Sequence, residues 1–79
     1  MPTTETFVAP GISVIPGKRG GRPCVIGTRI EAEMLYGLWK QGYTGEQIRR
    51  MYPDVSKHML WCAISFWAGV VYEREGGNG

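Results

Sequence analysis

Residues 44–71 read TGEQIRRMYPDVSKHMLWCAISFWAGVV, and the reading of this stretch decides the fold. Thr44 followed three places on by Gln47 is a capping box, in which the hydroxyl and the side-chain amide each satisfy one open backbone N–H. It predicts a short helix over 45–51, with Ile48 and Met51 as its inward pair. Tyr52 precedes Pro53, and the proline ring pushes the residue before it out of the α region, so that helix stops there. Asp54 and Val55 complete the turn, and Ser56 caps a longer helix running to about Glu73. Two helices joined by a short turn, the second one capped and longer, have the outline of a helix–turn–helix.

The longer helix carries two apolar stripes. Leu60, Ala63, Ile64, Trp67 and Val71 form one, and Met59, Cys62, Phe66 and Val70 form another beside it. An ordinary surface helix has one apolar arc and one polar face. Here the remaining face, Ser65, Ala68 and Gly69, is merely small. A three-helix core in so short a chain cannot cover both stripes, so a second chain is expected over part of this helix. The interface residues expected are Met59, Trp61, Phe66, Trp67 and Val70. The plainer alternative is a small domain that leaves some aromatic surface in water.

Working back from Thr44, Ile30, Met34, Leu35, Leu38 and Trp39 recur at helical spacing and predict a helix from about Glu31 to Gln41. Gly42 is placed as its C′ residue. Gly37 weakens its middle, and a close helix–helix contact would be one reason to keep it. Before it, Ile12–Ile15 and Pro23–Ile26 are short β-branched runs separated by a turn that holds Gly20 and Gly21, which predicts a two-strand ribbon. The fold expected is mainly α: a short N-terminal β-ribbon followed by a three-helix bundle with a helix–turn–helix. The ribbon and helices occupy 12–74, between a flexible leader at 1–11 and a disordered tail at 75–79.

Composition narrows the function. The chain has 79 residues, room for one small domain. Its longest apolar run, Met59 to Tyr72, is short of the about 20 residues needed to span a bilayer. No basic and apolar leader of the secretory kind opens the chain, so a cytoplasmic location and free Cys24 and Cys62 thiols are expected. The net charge is +2, but Lys18, Arg19, Arg22 and Arg29 stand in 11–30 without an acid. A basic glycine-rich segment can track a nucleic-acid backbone or engage an acidic partner. Equally, such charge keeps the edge of a ribbon soluble and unpaired. Arg29, at the junction of strand and helix, is expected to pair with Asp54 or a helix C-terminus.

In a helix–turn–helix the first residues of the second helix face base edges. Here those are Ser56, Lys57 and His58, with Trp61 one turn on, while Arg49 and Arg50 on the preceding helix are placed for phosphates. Arg22 joins them as the candidate from the basic segment. The competing reading is a helical bundle with a polar corner, since +2 is a small electrostatic footprint for a DNA binder. His58 and Cys62 have the i, i+4 spacing of metal ligands, but a structural zinc site needs four. The chain has no second histidine and one other cysteine, so no metal site and no cofactor are expected. With a single histidine, no phosphate-binding loop of the Walker type and no catalytic cluster, no enzyme activity is expected.

The residues Gly20-Gly21-Arg22-Pro23-Cys24-Val25-Ile26-Gly27-Thr28-Arg29-Ile30, then Gly42-Tyr43-Thr44 and Tyr52-Pro53-Asp54-Val55, resemble a family of small prokaryotic domains. That family began as a domain of unknown function and is usually described as antitoxin-like, with a homeodomain-like helix–turn–helix fold. The resemblance spans about 12–71. It implies a cytoplasmic antitoxin that represses its own promoter through its DNA-binding domain and is often paired with a PIN-like ribonuclease toxin; the homodimer expected here rests on the apolar stripes of the third helix. Gly21, Pro23, Gly27, Thr28, Arg29, Tyr52, Pro53 and Asp54 match fold-defining positions of the pattern. The chain departs from it at the start of the longer helix. Lys57-His58-Met59-Leu60-Trp61 stands where acidic and polar residues are usual, and no long toxin-wrapping tail follows. The functional expectation is a DNA-binding, antitoxin-like regulator. A protein-interaction module that inhibits a partner without touching DNA is the alternative.

Overall fold

The computed structural model describes residues 5–17 and 19–75. Residues 1–4 of the expected leader, Lys18 and the Arg19 side chain of the basic segment, and 76–79 of the expected tail lie outside the described residues. A three-stranded antiparallel sheet in the order β1-β2-β3 leads into three helices. The strands are β1 (Thr6–Ala9), β2 (Ile12–Val14) and β3 (Cys24–Val25), and the helices are α1 (Ala32–Lys40), α2 (Gly45–Met51) and α3 (Lys57–Glu75). The mainly helical architecture with a β-ribbon in front is thus present, and the ribbon gains one strand.

That strand comes from the stretch expected to be a leader. Thr6 and Phe7 pair with Val14 and Ser13, and a bulge before Ala9 brings it opposite Ile12. The reversal between them is possible because Gly11 sits at φ +76°, where a side chain would be strained. The Ser13 hydroxyl, on a buried residue, donates to the Glu5 carboxylate and ties the start of β1 to β2. At the other end, α3 continues to Glu75, so the first residue of the expected tail is helical.

The segment after β3 is built by its threonine. The Thr28 hydroxyl donates to Val25 O at 2.9 Å and accepts from the Ile30 amide at 3.0 Å, with Gly27 at φ +79° inside the turn. Ala32 N donates to Pro23 O and Val25 N to Ile30 O, so the chain doubles back on β3 before α1 begins. Arg29 is exposed and makes no ion pair with Asp54 or any other described residue, contrary to the pairing expected for it. The turn is held by the Thr28 hydroxyl and the backbone.

α1 closes with the double hydrogen bond of a Schellman motif. Gly42 N reaches Trp39 O at 3.1 Å and Tyr43 N reaches Leu38 O at 3.3 Å, with Gly42 at φ +106°. Inside α1, a Cβ added at Gly37 would meet nothing within 4 Å. No close helix–helix contact therefore explains this glycine. Gly37→Ala should stabilise the chain by about 0.5–1 kcal/mol, because alanine loses less backbone entropy on entering a helix. In thermal melts followed by circular dichroism this is a rise of roughly 4–8 °C per kcal/mol for a domain of this size. An unchanged or lowered midpoint would mean that the glycine is needed for something else.

The core lies where α3 packs against α1 and the sheet. Ile12, Val25, Leu35, Ile48, Val55, Leu60, Ala63 and Ile64 are buried, together with Trp67, which is only 9% exposed. The stripe Leu60–Ala63–Ile64–Trp67 is therefore the inward face of α3. The second stripe, including Met59, Phe66 and Val70, is half-buried at the rim of that core. Trp67 was expected at an interface with another chain, and the structure corrects this. Its indole fills the domain's own core, and the Arg74 guanidinium covers the ring at 5.4 Å from its centre.

Candidate nucleic-acid interface

α2 and α3 are held at a fixed angle by a short run of local contacts. Gln47 N donates to Thr44 Oγ1 at 3.1 Å and Thr44 N to Gln47 Oε1 at 2.9 Å, so the capping box is complete. Thr44→Ala should cost about 1 kcal/mol, read as a lower denaturant midpoint with an unchanged slope. Tyr52 ends α2, its hydroxyl directed at Met34 Sδ of α1 at 3.4 Å, and Val55 N closes the turn onto Tyr52 O at 3.0 Å. The Ser56 hydroxyl accepts from Met59 N at 3.1 Å and starts α3. Gly45 lets the two helices approach. A Cβ there would lie 3.0 Å from the Trp61 ring and 3.5 Å from Leu60.

This geometry sorts the expected site residues. Arg49 and Lys57 line a cleft of about 250 Å³ between α2 and α3, floored by Leu60 and Trp61 and rimmed by Glu46. Arg49 also donates from Nε to Val55 O at 3.4 Å, which ties α2 to the turn. Arg50 is exposed and paired with Glu46 at 3.3 Å one turn back on α2. Such a pair in water is worth little and gives way readily to a phosphate. Ser56 is exposed, but its hydroxyl is occupied as a cap.

Two expected members fall elsewhere. Arg22 turns to the start of α1, with its guanidinium 3.5 Å from Glu31 and 3.7 Å from Glu33. The structure thus places it beside α1 and not among the residues that line the α2–α3 cleft. His58 belongs to a second depression of about 430 Å³, bounded by Ala9 and Pro10 of the β1–β2 turn and by Trp61, Cys62, Ser65 and Phe66. Trp61, 38% exposed, forms the wall between cleft and groove. Lys57 and His58, adjacent in sequence, thus serve different faces of α3, as the 100° step of a helix requires.

The electrostatics of the helix starts differ. α1 and α2 carry Glu33 and Glu46 in their first turns, whereas the first turn of α3 has no acid and begins with Lys57 and His58. A helix N-terminus bears partial positive charge, so a cation there is unfavourable unless an anion joins it. Phosphate is the anion that such termini commonly hold.

A family described as a protein of unknown function, DUF433, matches residues 12–67. The chain belongs to the DUF433 family. The DUF433 match takes in β2, β3, α1, α2 and α3 as far as Trp67, so it contains the cleft and most of the groove. β1 and the last two turns of α3 lie outside it. No curated protein and no solved structure matches the chain. Among the described residues, no helix is long and apolar enough to cross a membrane.

Proposed function

We propose that this DUF433 chain is a DNA-binding, antitoxin-like transcriptional regulator that acts as a homodimer in the cytoplasm. The observation that carries the reading is the cleft between α2 and α3. Arg49 and Lys57 both line it, at the start of a long helix whose first turn lacks an acid. Arg49, Arg50 and Lys57 hold phosphates, and the first two turns of α3 present Lys57 and Trp61 to the major groove. Trp61 supplies an apolar surface of the kind that meets a thymine methyl. The second copy packs on α3 through Phe66, Met59 and Val70, the half-buried stripe beside the core. A PIN-like ribonuclease is the toxin class that the family resemblance suggests as a further partner.

One observation favours a second reading, that of a protein-interaction module acting without DNA. The groove beside α3 is lined mostly by apolar atoms and lies next to an edge strand bearing exposed Phe7 and Val8. Titrating the full chain into mixed-sequence duplex DNA at two salt concentrations separates the readings. Phosphate contacts make affinity fall steeply with salt. Saturable binding with a steep salt dependence supports the regulator, and no binding at the lower salt leaves the interaction module.

A further inference from the structure

His58 and Cys62 stand one turn apart on α3, with His58 Nε2 and Cys62 Sγ at 3.5 Å. This is a thiol–imidazole hydrogen bond. The distance has a second meaning. With Zn–N of about 2.05 Å and Zn–S of about 2.3 Å, a tetrahedral angle places the two donor atoms about 3.6 Å apart. The pair therefore already has the separation that one zinc ion imposes. It is also accessible: His58 is exposed and Cys62 half-exposed, and both line the groove beside the β1–β2 turn.

Among the described residues one chain brings two such ligands together. The sequence has a single histidine, and the described residues contain no group of three or more His, Cys, Asp or Glu side chains able to share an ion. A two-fold axis through the ion repeats the pair, giving two histidines and two cysteines, a standard structural zinc set. We propose that His58 and Cys62 form half of a zinc site that a second copy of this chain completes, clamping the two copies across the Trp61–Phe66 groove. Zinc displaces the Cys62 thiol proton to solvent and takes the imidazole Nε2 lone pair. This rests on the self-association proposed above and not on DNA contact, and it moves His58 from the DNA-contacting set to the groove.

The test uses the full chain under reducing conditions, with Zn²⁺ for stoichiometry and Co²⁺ as a spectroscopic probe. Equilibrium dialysis should give one zinc per two chains. Sedimentation should show the dimer strengthened by zinc and weakened by a chelator. Co²⁺ should develop the intense visible bands of tetrahedral thiolate coordination. His58→Ala and Cys62→Ser lie on the surface of α3 and should each weaken metal binding by about 100-fold or more, since even an outer partner of a ligand is worth 10–100-fold. Metal binding undiminished in Cys62→Ser would overturn the site, as would one zinc per chain with no change in mass. A chain that dimerises equally with and without metal loses the zinc clamp but keeps the self-association. A chain that is monomeric in both conditions loses both. DNA titration of the same samples reports separately on the regulator reading.

Discussion

Trp67→Ala should destabilise the chain by about 3–5 kcal/mol, the range for removing a large buried aromatic and leaving a cavity. Trp67 is 9% exposed among Leu60, Ala63 and Ile64, with the Phe66 ring tilted against it at 6.4 Å. Small domains have total stabilities near the low end of about 5–15 kcal/mol, so this one change removes most of the margin. Trp61→Ala on the same helix provides the contrast. Trp61 is 38% exposed and borders open grooves, so water replaces it and no closed cavity forms. Its cost should be about 1–2 kcal/mol from lost apolar burial. Urea melts of both variants decide the matter. If Trp67→Ala melts like the parent chain, the inward face of α3 has been misassigned. If Trp61→Ala is the worse of the two, the cleft and groove are closed in solution.

How much of this was readable in advance depends on the range over which each signal acts. The capping box at Thr44, the stop before Pro53 and the glycine cap at Gly42 are local, and the structure places all three where the sequence puts them. The two stripes of α3 were also legible, because helical spacing alone sorts Leu60 and Ile64 from Met59 and Phe66. Their assignment was harder. Periodicity says that two faces are apolar, but not which one faces inward, and so Trp67 was placed at an interface when it is buried in the domain's own core. β1 was missed because Thr6-Phe7-Val8-Ala9 has no clean alternation, and its pairing is secured by Gly11 and by the Ser13–Glu5 contact across the turn.

The site shows the same division. Arg49 and Lys57 are eight positions apart, and the turn between them is spelled out in the sequence, so their convergence on one cleft was foreseeable. Arg22 was not, since its acids at Glu31 and Glu33 reach it only after the chain has doubled back on β3. Gly45 passed as an ordinary first helical residue. Its meaning, a close approach to Trp61 at the base of the cleft, exists only once α2 and α3 are packed.

The second large effect concerns DNA. Replacing Arg49 and Lys57 together by alanine removes two cations per chain from the α2–α3 cleft. In a dimer that is four phosphate contacts, and each contributes about 0.9 to the slope of log affinity against log salt concentration. The slope should flatten by about 3.6, so that affinities of parent and variant part by roughly four-thousandfold for each tenfold dilution of salt below their crossing. Arg49 also bonds Val55 O, so a thermal melt of the variant establishes that it is folded under the titration conditions.

The most direct measurement is this salt slope, taken for the parent chain and the Arg49→Ala/Lys57→Ala variant on the same mixed-sequence duplex. A steep parent slope that flattens by about 3.6 in the folded variant places DNA on the α2–α3 cleft. Equal slopes in the two proteins, or no binding by the parent chain at low salt, would contradict that placement.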